Sequence, residues 1–222
     1  TGVQTCALPI SPDYLFVQES VKQKFIEYLK YWIDKMFGTE PLKNSDYPRI
    51  INEKHYERLM KLIEGESIVK GGYGNKERLF IAPTVLDNIT EHSPIMQEEI
   101  FGPILPVLSY GNLEEAEAFI KKGEKPLALY LFTGNKKTEQ RILNTISFGG
   151  GCINDTIIHL ATSRMGFGGV GASGMGSYHG KRSFDTFSHT RSIVKKYQWI
   201  DLPIRYQPYT RRKKKLLHLF LK

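Results

Sequence analysis

Apolar runs too short to be helices alternate along this chain with segments of helical amphipathic spacing. The first pair is the run Asp13–Glu19 and a helical pattern with a Ser20–Gln23 capping box and Gly38 at the C-terminal cap position. Further strand-like runs are Ser67–Val69, Leu79–Ile81, Ile104–Leu108, Leu127–Phe132 and Cys152–Asn154, and further helical patterns are Asn52–Gly65, Asn112–Gly123 and Thr138–Ile146. Strands that alternate with helices need crossover connections. The sequence therefore predicts an α/β fold with a mostly parallel sheet and covering helices.

The segment from Gly149 to Gly180 holds ten of the chain's twenty glycines, and we interpret it as loops. Within it, Gly169–Gly174 matches the dinucleotide fingerprint G-x-G-x-x-G, but it does not lie between a strand pattern and a helix pattern. We therefore interpret Gly168 and Gly169 as structural loop positions. The next stretch, Phe184–Val194, alternates β-formers with polar residues, which predicts an extended strand suited to pairing with another subunit.

Net charge is concentrated at the C-terminus. The chain has 31 Lys and Arg against 23 Asp and Glu, a net charge of +8, and six basic residues without an acid lie in the last twelve positions. Residues 1–210 therefore carry only 8 − 6 = +2. A nearly neutral body argues against a nucleic-acid partner. Residues 211–222 are basic and apolar, which is typical of a solvated end but also suits weak peripheral contact with an anionic bilayer.

The two cysteines, Cys6 and Cys152, are far apart and have no metal-ligand spacing, so we expect neither a disulfide framework nor a metal site. This cysteine usage favours a reducing compartment. No stretch of the sequence approaches the roughly 18 apolar residues of a membrane span. We expect a cytoplasmic protein, at most peripherally attached to a membrane.

The first ten residues, Thr1–Ile10, can be back-translated codon by codon into the sequence of a common sequencing-library adapter. We interpret residues 1–10 as encoded by adapter DNA and exclude them from fold reasoning. On this interpretation Cys6 is an artefact that imitates a nucleophile. The chain does not begin with Met, and we expect it to be a fragment of a longer protein.

An acid and an aromatic residue, Glu99 and Phe101, are two positions apart in the segment Glu98–Pro103. From an extended backbone, side chains two positions apart point the same way. A carboxylate can accept hydrogen bonds from both hydroxyls of a ribose, and an aromatic ring beside it can pack against a nicotinamide ring. The alternative interpretation is a solvated acidic pair beside a core phenylalanine.

Four stretches in register resemble the NAD(P)-dependent aldehyde dehydrogenases, and the last of them is similar to the class 3 branch. They are Met96–Pro103, Asn154–Asp155, Gly166–Gly176 and Ser177–His189. The resemblance covers Ser11 to about Gln207. It implies the C-terminal part of the catalytic domain in residues 11–183, an oligomerisation strand and arm in residues 184–210, and the tail in residues 211–222.

The resemblance also implies roles for individual residues. Glu99 would bind the nicotinamide-side ribose of NAD or NADP, and Phe101 would pack near the ring. Ile157, His159 and Phe167 fall where the family lines its aldehyde tunnel, and Asn154 would secure the loop backbone. In class 3 members the catalytic cysteine stands two residues before Ser-Pro-Asp-Tyr or its equivalent, which is position 9 here, where Pro9 stands. Cys6 is therefore out of register.

The activity implied for the intact parent is oxidation of an aldehyde to an acid through a cysteine thiohemiacetal and thioester. The family's oxyanion Asn and general-base Glu both lie upstream of Ser11, so we expect the fragment to be inactive. A small-molecule aldehyde and a second copy of the chain are the expected partners. Two alternatives stay open: a catalytically dead module that dimerises through residues 184–195 and touches membrane through its tail, and an acyl-thioester reductase.

Overall fold

The computed structural model describes residues 11–220, and the chain divides into two compact units. The larger unit ends at Phe184 and the smaller unit begins at Asp185. The strands are β1 (Leu15–Gln18), β2 (Ser67–Lys70), β3 (Gly74–Asn75), β4 (Phe80–Ile81), β5 (Thr84–Asp87), β6 (Ile104–Tyr110), β7 (Ala128–Leu131) and β8 (Gly150–Ile153). The helices are α1 (Glu19–Phe37), α2 (Glu53–Leu62), α3 (Leu113–Lys122), α4 (Lys136–Thr145), α5 (Gly180–Thr186) and α6 (Arg211–Phe220).

A four-stranded sheet with the order β1-β6-β5-β2 forms the centre of the larger unit. Strand β6 pairs in parallel with β1 and with β5, whereas β2 is antiparallel at the edge. Strands β7 and β8 form a separate parallel pair, and β3 and β4 form a short antiparallel pair. Three of these five pairings are parallel. The predicted α/β class with a mainly parallel sheet is confirmed.

Helix α2 packs one face into the main core. Its Leu59 is completely buried, as are Ile81 and Leu86 of the neighbouring strands, and Tyr56 and Leu62 are at most 8% exposed. The helix begins at a side-chain cap, because the Asn52 carboxamide oxygen accepts a hydrogen bond from the His55 backbone N–H at 2.8 Å. This packing fixes α2 against the loop that leads into β6.

Helix α1 differs from its predicted pattern at its first turn and along one face. The predicted capping box is wrong, because Gln18 is the N-cap, no side chain caps the helix, and Ser20 lies inside it. The C-terminal cap is confirmed, since Gly38 adopts φ +81° and donates to the Asp34 carbonyl. The helical spacing predicts a buried apolar stripe that includes Phe25, Leu29, Trp32, Ile33 and Met36. Phe25, Leu29 and Ile33 pack against the core, whereas Trp32 is 49% and Met36 is 68% exposed.

The predicted strand over Phe184–Val194 is wrong at its first residues, because α5 extends to Thr186. Residues 188–197 have no regular secondary structure. A strand is stable only beside another strand that satisfies its backbone groups, and within residues 11–220 no strand pairs with this segment. The apolar side chains that follow α5 are left in solvent, with Phe187 91% and Val194 95% exposed.

Candidate functional site

The predicted cofactor residues lie in an irregular loop between a short 3-10 turn, Pro94–Met96, and strand β6. Glu99 is exposed and Phe101 is 43% exposed, while Ile100 between them is 2% exposed and belongs to the core. The alternation leaves the carboxylate and the aromatic ring available to a ligand. The expected extended backbone ends at Phe101, however, because this residue adopts φ +49°.

A left-handed backbone at a phenylalanine costs about 1–2 kcal/mol, so the surroundings of Phe101 must hold it there. Three side chains distant in sequence bind the segment. Asp13 accepts a hydrogen bond from the Ile100 N–H at 2.9 Å, Arg58 of α2 donates to the Ile100 carbonyl at 2.5 Å, and His55 of α2 lies 2.9 Å from the Phe101 carbonyl oxygen. Sequence reasoning missed all three residues, which are 42 to 87 positions from their partners.

Two carboxylates at this loop, those of Asp13 and Glu99, are partly buried, which disfavours their charged forms. Burial raises the pKa of Asp13, although the Ile100 N–H and the Arg58 guanidinium oppose the shift. Burial, and to a lesser extent the charge of Asp13, raises the pKa of Glu99. An ionised Glu99 is therefore less stabilised than an ordinary surface glutamate and would gain from ligand hydroxyls that donate to it.

The three predicted substrate residues have different surroundings. Ile157 is 37% exposed and has φ +64°, which is rare for a β-branched residue. His159 and Phe167 are 7% and 4% exposed, with ring centroids 6.1 Å apart. His159 Nδ1 lies 3.4 Å from the buried Cys152 sulfur, and burial lowers the pKa of His159. Of the three, only Ile157 offers appreciable surface to a ligand.

The loop residues make close backbone contacts. The Asn154 side chain accepts from the Thr133 N–H at 2.8 Å and donates to the Thr133 carbonyl at 3.0 Å, so it links the segments that follow β7 and β8. A Cβ at Gly168 would lie 2.1 Å from the Gly176 carbonyl oxygen, and one at Gly169 would lie 2.0 Å from that of Ser173. These glycines face backbone atoms of their own loop.

Cys6 lies outside the described residues. Within residues 11–220, no three His, Cys, Asp or Glu side chains are grouped so as to hold a metal ion. No helix in this same range has the length and apolar character needed to cross a bilayer. A pocket of about 210 Å³ lies between α1 and the segments around β2 and β4, lined among others by Asp34, Lys70 and Tyr73, and it includes none of the predicted site residues.

Solved structures that are similar to this chain indicate the class of protein to which its fold belongs. The structure of Staphylococcus aureus AldH in its substrate-bound state superimposes with a TM-score of 0.89 at 48% identity, covering 95% of this chain and 46% of that one. A Sinorhizobium meliloti NAD-dependent aldehyde dehydrogenase gives a TM-score of 0.73 at 28% identity, covering 86% of this chain and 40% of that one.

The sequence comparisons define the family. Residues 4–193 match the aldehyde dehydrogenase family, and this chain belongs to that family. A 4,4'-diaponeurosporen-aldehyde dehydrogenase of Staphylococcus aureus is 49% identical over 93% of this chain and 45% of its own length. A dimeric NADP-preferring aldehyde dehydrogenase of Bos taurus is 45% identical over 86% of this chain and 79% of its own length. The chain spans less than half the length of the first of these relatives.

Proposed function

We infer that this chain is the C-terminal half of an NAD(P)-dependent aldehyde dehydrogenase that oxidises an aldehyde to a carboxylic acid. The observation that carries the inference is the exposed pair Glu99 and Phe101 on a backbone fixed by α2, in a chain of this family. The alternative of a solvated acidic pair leaves the enforced left-handed backbone at Phe101 without a purpose.

The residues present fit the nicotinamide end of the cofactor. The Glu99 carboxylate is exposed and can accept from both hydroxyls of a ribose, and the exposed part of the Phe101 ring can pack beside a flat heterocycle. When bound, NAD or NADP accepts a hydride from the substrate. Ile157 offers apolar surface to the aldehyde, whereas His159 and Phe167 are buried. A relative named as NADP-preferring makes NADP as suitable a candidate as NAD.

The intact enzyme is expected to use a cysteine that this sequence does not show in register. Sequencing genomic DNA across codons 1–14 should replace the adapter-like codons and place a Cys codon two residues before Ser11. The protein expressed from the restored frame should reduce NAD or NADP when given an aldehyde, as followed by absorbance of the reduced nicotinamide. The 222-residue chain should be inactive.

Two results would contradict this proposal. One is a genomic read that reproduces codons 1–10 unchanged, which would remove the adapter interpretation. The other is a restored protein that carries the cysteine yet turns over no aldehyde with either cofactor, which would favour the catalytically dead module.

The dead-module alternative has an observation of its own in the smaller unit. Helix α6 begins with five consecutive basic residues and ends in an apolar segment, of which Leu216, Leu219 and Phe220 are 47%, 71% and 76% exposed. Basic residues near an anionic bilayer contribute about 1 kcal/mol each, and the apolar side chains can enter the interface. The exposed apolar side chains of residues 187–202 likewise suit a second copy of the chain.

We expect the chain to float with vesicles that contain phosphatidylglycerol and to stay behind with vesicles of phosphatidylcholine alone. Deleting residues 211–222 should abolish flotation, and raising the salt concentration should weaken it. Replacing Leu216, Leu219 and Phe220 by Ser separates the apolar contribution from the charge. Flotation of the deletion variant equal to that of the parent chain would show that residues 211–222 do not bind the membrane.

A further inference from the structure

Two side chains one turn apart on α2 bind three successive carbonyl groups of the candidate cofactor loop. Arg58 donates from Nη2 to the Ile100 carbonyl at 2.5 Å and from Nη1 to the Glu99 carbonyl at 3.2 Å. His55 Nε2 lies 2.9 Å from the Phe101 carbonyl oxygen. Residues at positions i and i+3 of a helix lie on the same face, so the two side chains act on one stretch of backbone.

The hydrogen bonds also indicate which ring nitrogen of His55 carries the hydrogen. A carbonyl oxygen only accepts, so His55 Nε2 must carry the hydrogen that it donates to Phe101. In the neutral ring Nδ1 is then an acceptor, and Arg58 Nε donates to it at 3.4 Å. The two side chains therefore orient each other as well as the loop. The Arg58 guanidinium is further fixed by the Glu98 carboxylate at 3.1 Å.

The rest of the loop leaves little freedom around this contact. Asp13 holds the Ile100 N–H from the other side. A Cβ at Gly102 would lie 2.6 Å from the Leu59 side chain, so the loop backbone lies directly on α2. Bonds to the peptide groups of residues 99–101 thus surround a left-handed phenylalanine whose conformation is unfavourable by itself.

We propose that Arg58 and His55 are positioning residues, which hold the backbone of residues 99–101 in the one conformation that offers the Glu99 carboxylate and the Phe101 ring to the same ligand. The identity of the ligand, a nicotinamide riboside moiety, rests on the proposed function. The role of Arg58 and His55 in holding the loop rests on the hydrogen bonds alone. Neither side chain needs to touch the ligand. A site held this way binds without first having to order its own loop.

The test uses the 222-residue chain with nicotinamide riboside as the probe, since this molecule carries the ring and ribose but no phosphate for the basic tail. Binding is followed by the amide NMR spectrum, and hydrogen exchange is measured at Ile100. Arg58→Gln should weaken binding about tenfold and speed exchange of the Ile100 amide. Arg58→Lys keeps the charge but has one nitrogen for two carbonyls, so its affinity should fall between those of Arg58→Gln and the parent.

The matched control is Lys61→Gln, an exposed position on the same helix with the same change of charge, which should leave both readouts unchanged. If Arg58→Gln is too unstable to study, His55→Ala removes the bond to Phe101 and the contact with Arg58 Nε but keeps both carbonyl bonds of Arg58, so it should give a smaller shift in the same direction. Arg58→Gln that binds as tightly as the parent would overturn the positioning role alone. A parent chain that shows no saturable binding would overturn the proposed function and, with it, the ligand named here.

Discussion

The Gly151→Ala variant is expected to lose about 3 kcal/mol of unfolding free energy. Strands β7 and β8 pair in parallel with Leu129 opposite Gly151, and a Cβ at Gly151 would lie 1.9 Å from the Leu129 carbonyl oxygen. This neighbour is backbone and cannot rotate away, so the strands must separate. Separation breaks hydrogen bonds of the pair and disturbs the buried Cys152 that follows.

Denaturant unfolding of the two proteins, followed by circular dichroism, measures this loss. The matched control is Gly134→Ala, because a Cβ there meets nothing within 4 Å and the residue lies in an exposed turn. Alanine at such a position is expected to be neutral or slightly stabilising. Equal stability of the two variants would mean that β7 and β8 do not pair as described.

Replacing Glu99 by Gln is expected to weaken binding of NAD or NADP by about ten- to a hundredfold in the restored enzyme. Glutamine keeps the size of the side chain but loses the charge and one of the two acceptor oxygens. Hydrogen bonds to a charged group contribute about 1.5–3 kcal/mol, which gives that range. The affinity for aldehyde should change little, because no substrate contact is assigned to Glu99.

Equilibrium titration with the oxidised cofactor measures the effect of Glu99→Gln. Glu77→Gln makes the same change at an exposed carboxylate in the turn between β3 and β4, and it should bind as the parent does. Equal weakening in both variants would indicate a general loss of negative charge. An unchanged affinity in Glu99→Gln would remove this residue from the cofactor site.

Local signals in the sequence predicted much of the fold. The predicted helical patterns begin at Asn52 and Asn112, and in the structure both carboxamides cap the helix that follows. Gly38 and Gly123 stand at the ends of α1 and α3. Such signals depend on residues within one turn of each other, so they can be recognised in the sequence without the tertiary structure.

Features that depend on residues distant in sequence could not be predicted from local sequence patterns. Ser20 has the spacing of a capping box, yet α1 begins two residues earlier, with Gln18 as its N-cap, because the chain leaves β1 directly as a helix. Nothing in the spacing of His55 and Arg58 indicates carbonyl partners more than 40 positions away. The stretch after Thr186 has a strand pattern, but among the residues that the structure describes it pairs with no strand.

The most direct test of the central claim, that this chain holds the nicotinamide-ribose end of a redox cofactor, is an NMR titration of the 222-residue chain with nicotinamide riboside. We predict saturable shifts concentrated at residues 98–102 that disappear in Glu99→Gln and persist in Glu77→Gln. Shifts that fall elsewhere, or that survive unchanged in Glu99→Gln, would contradict it.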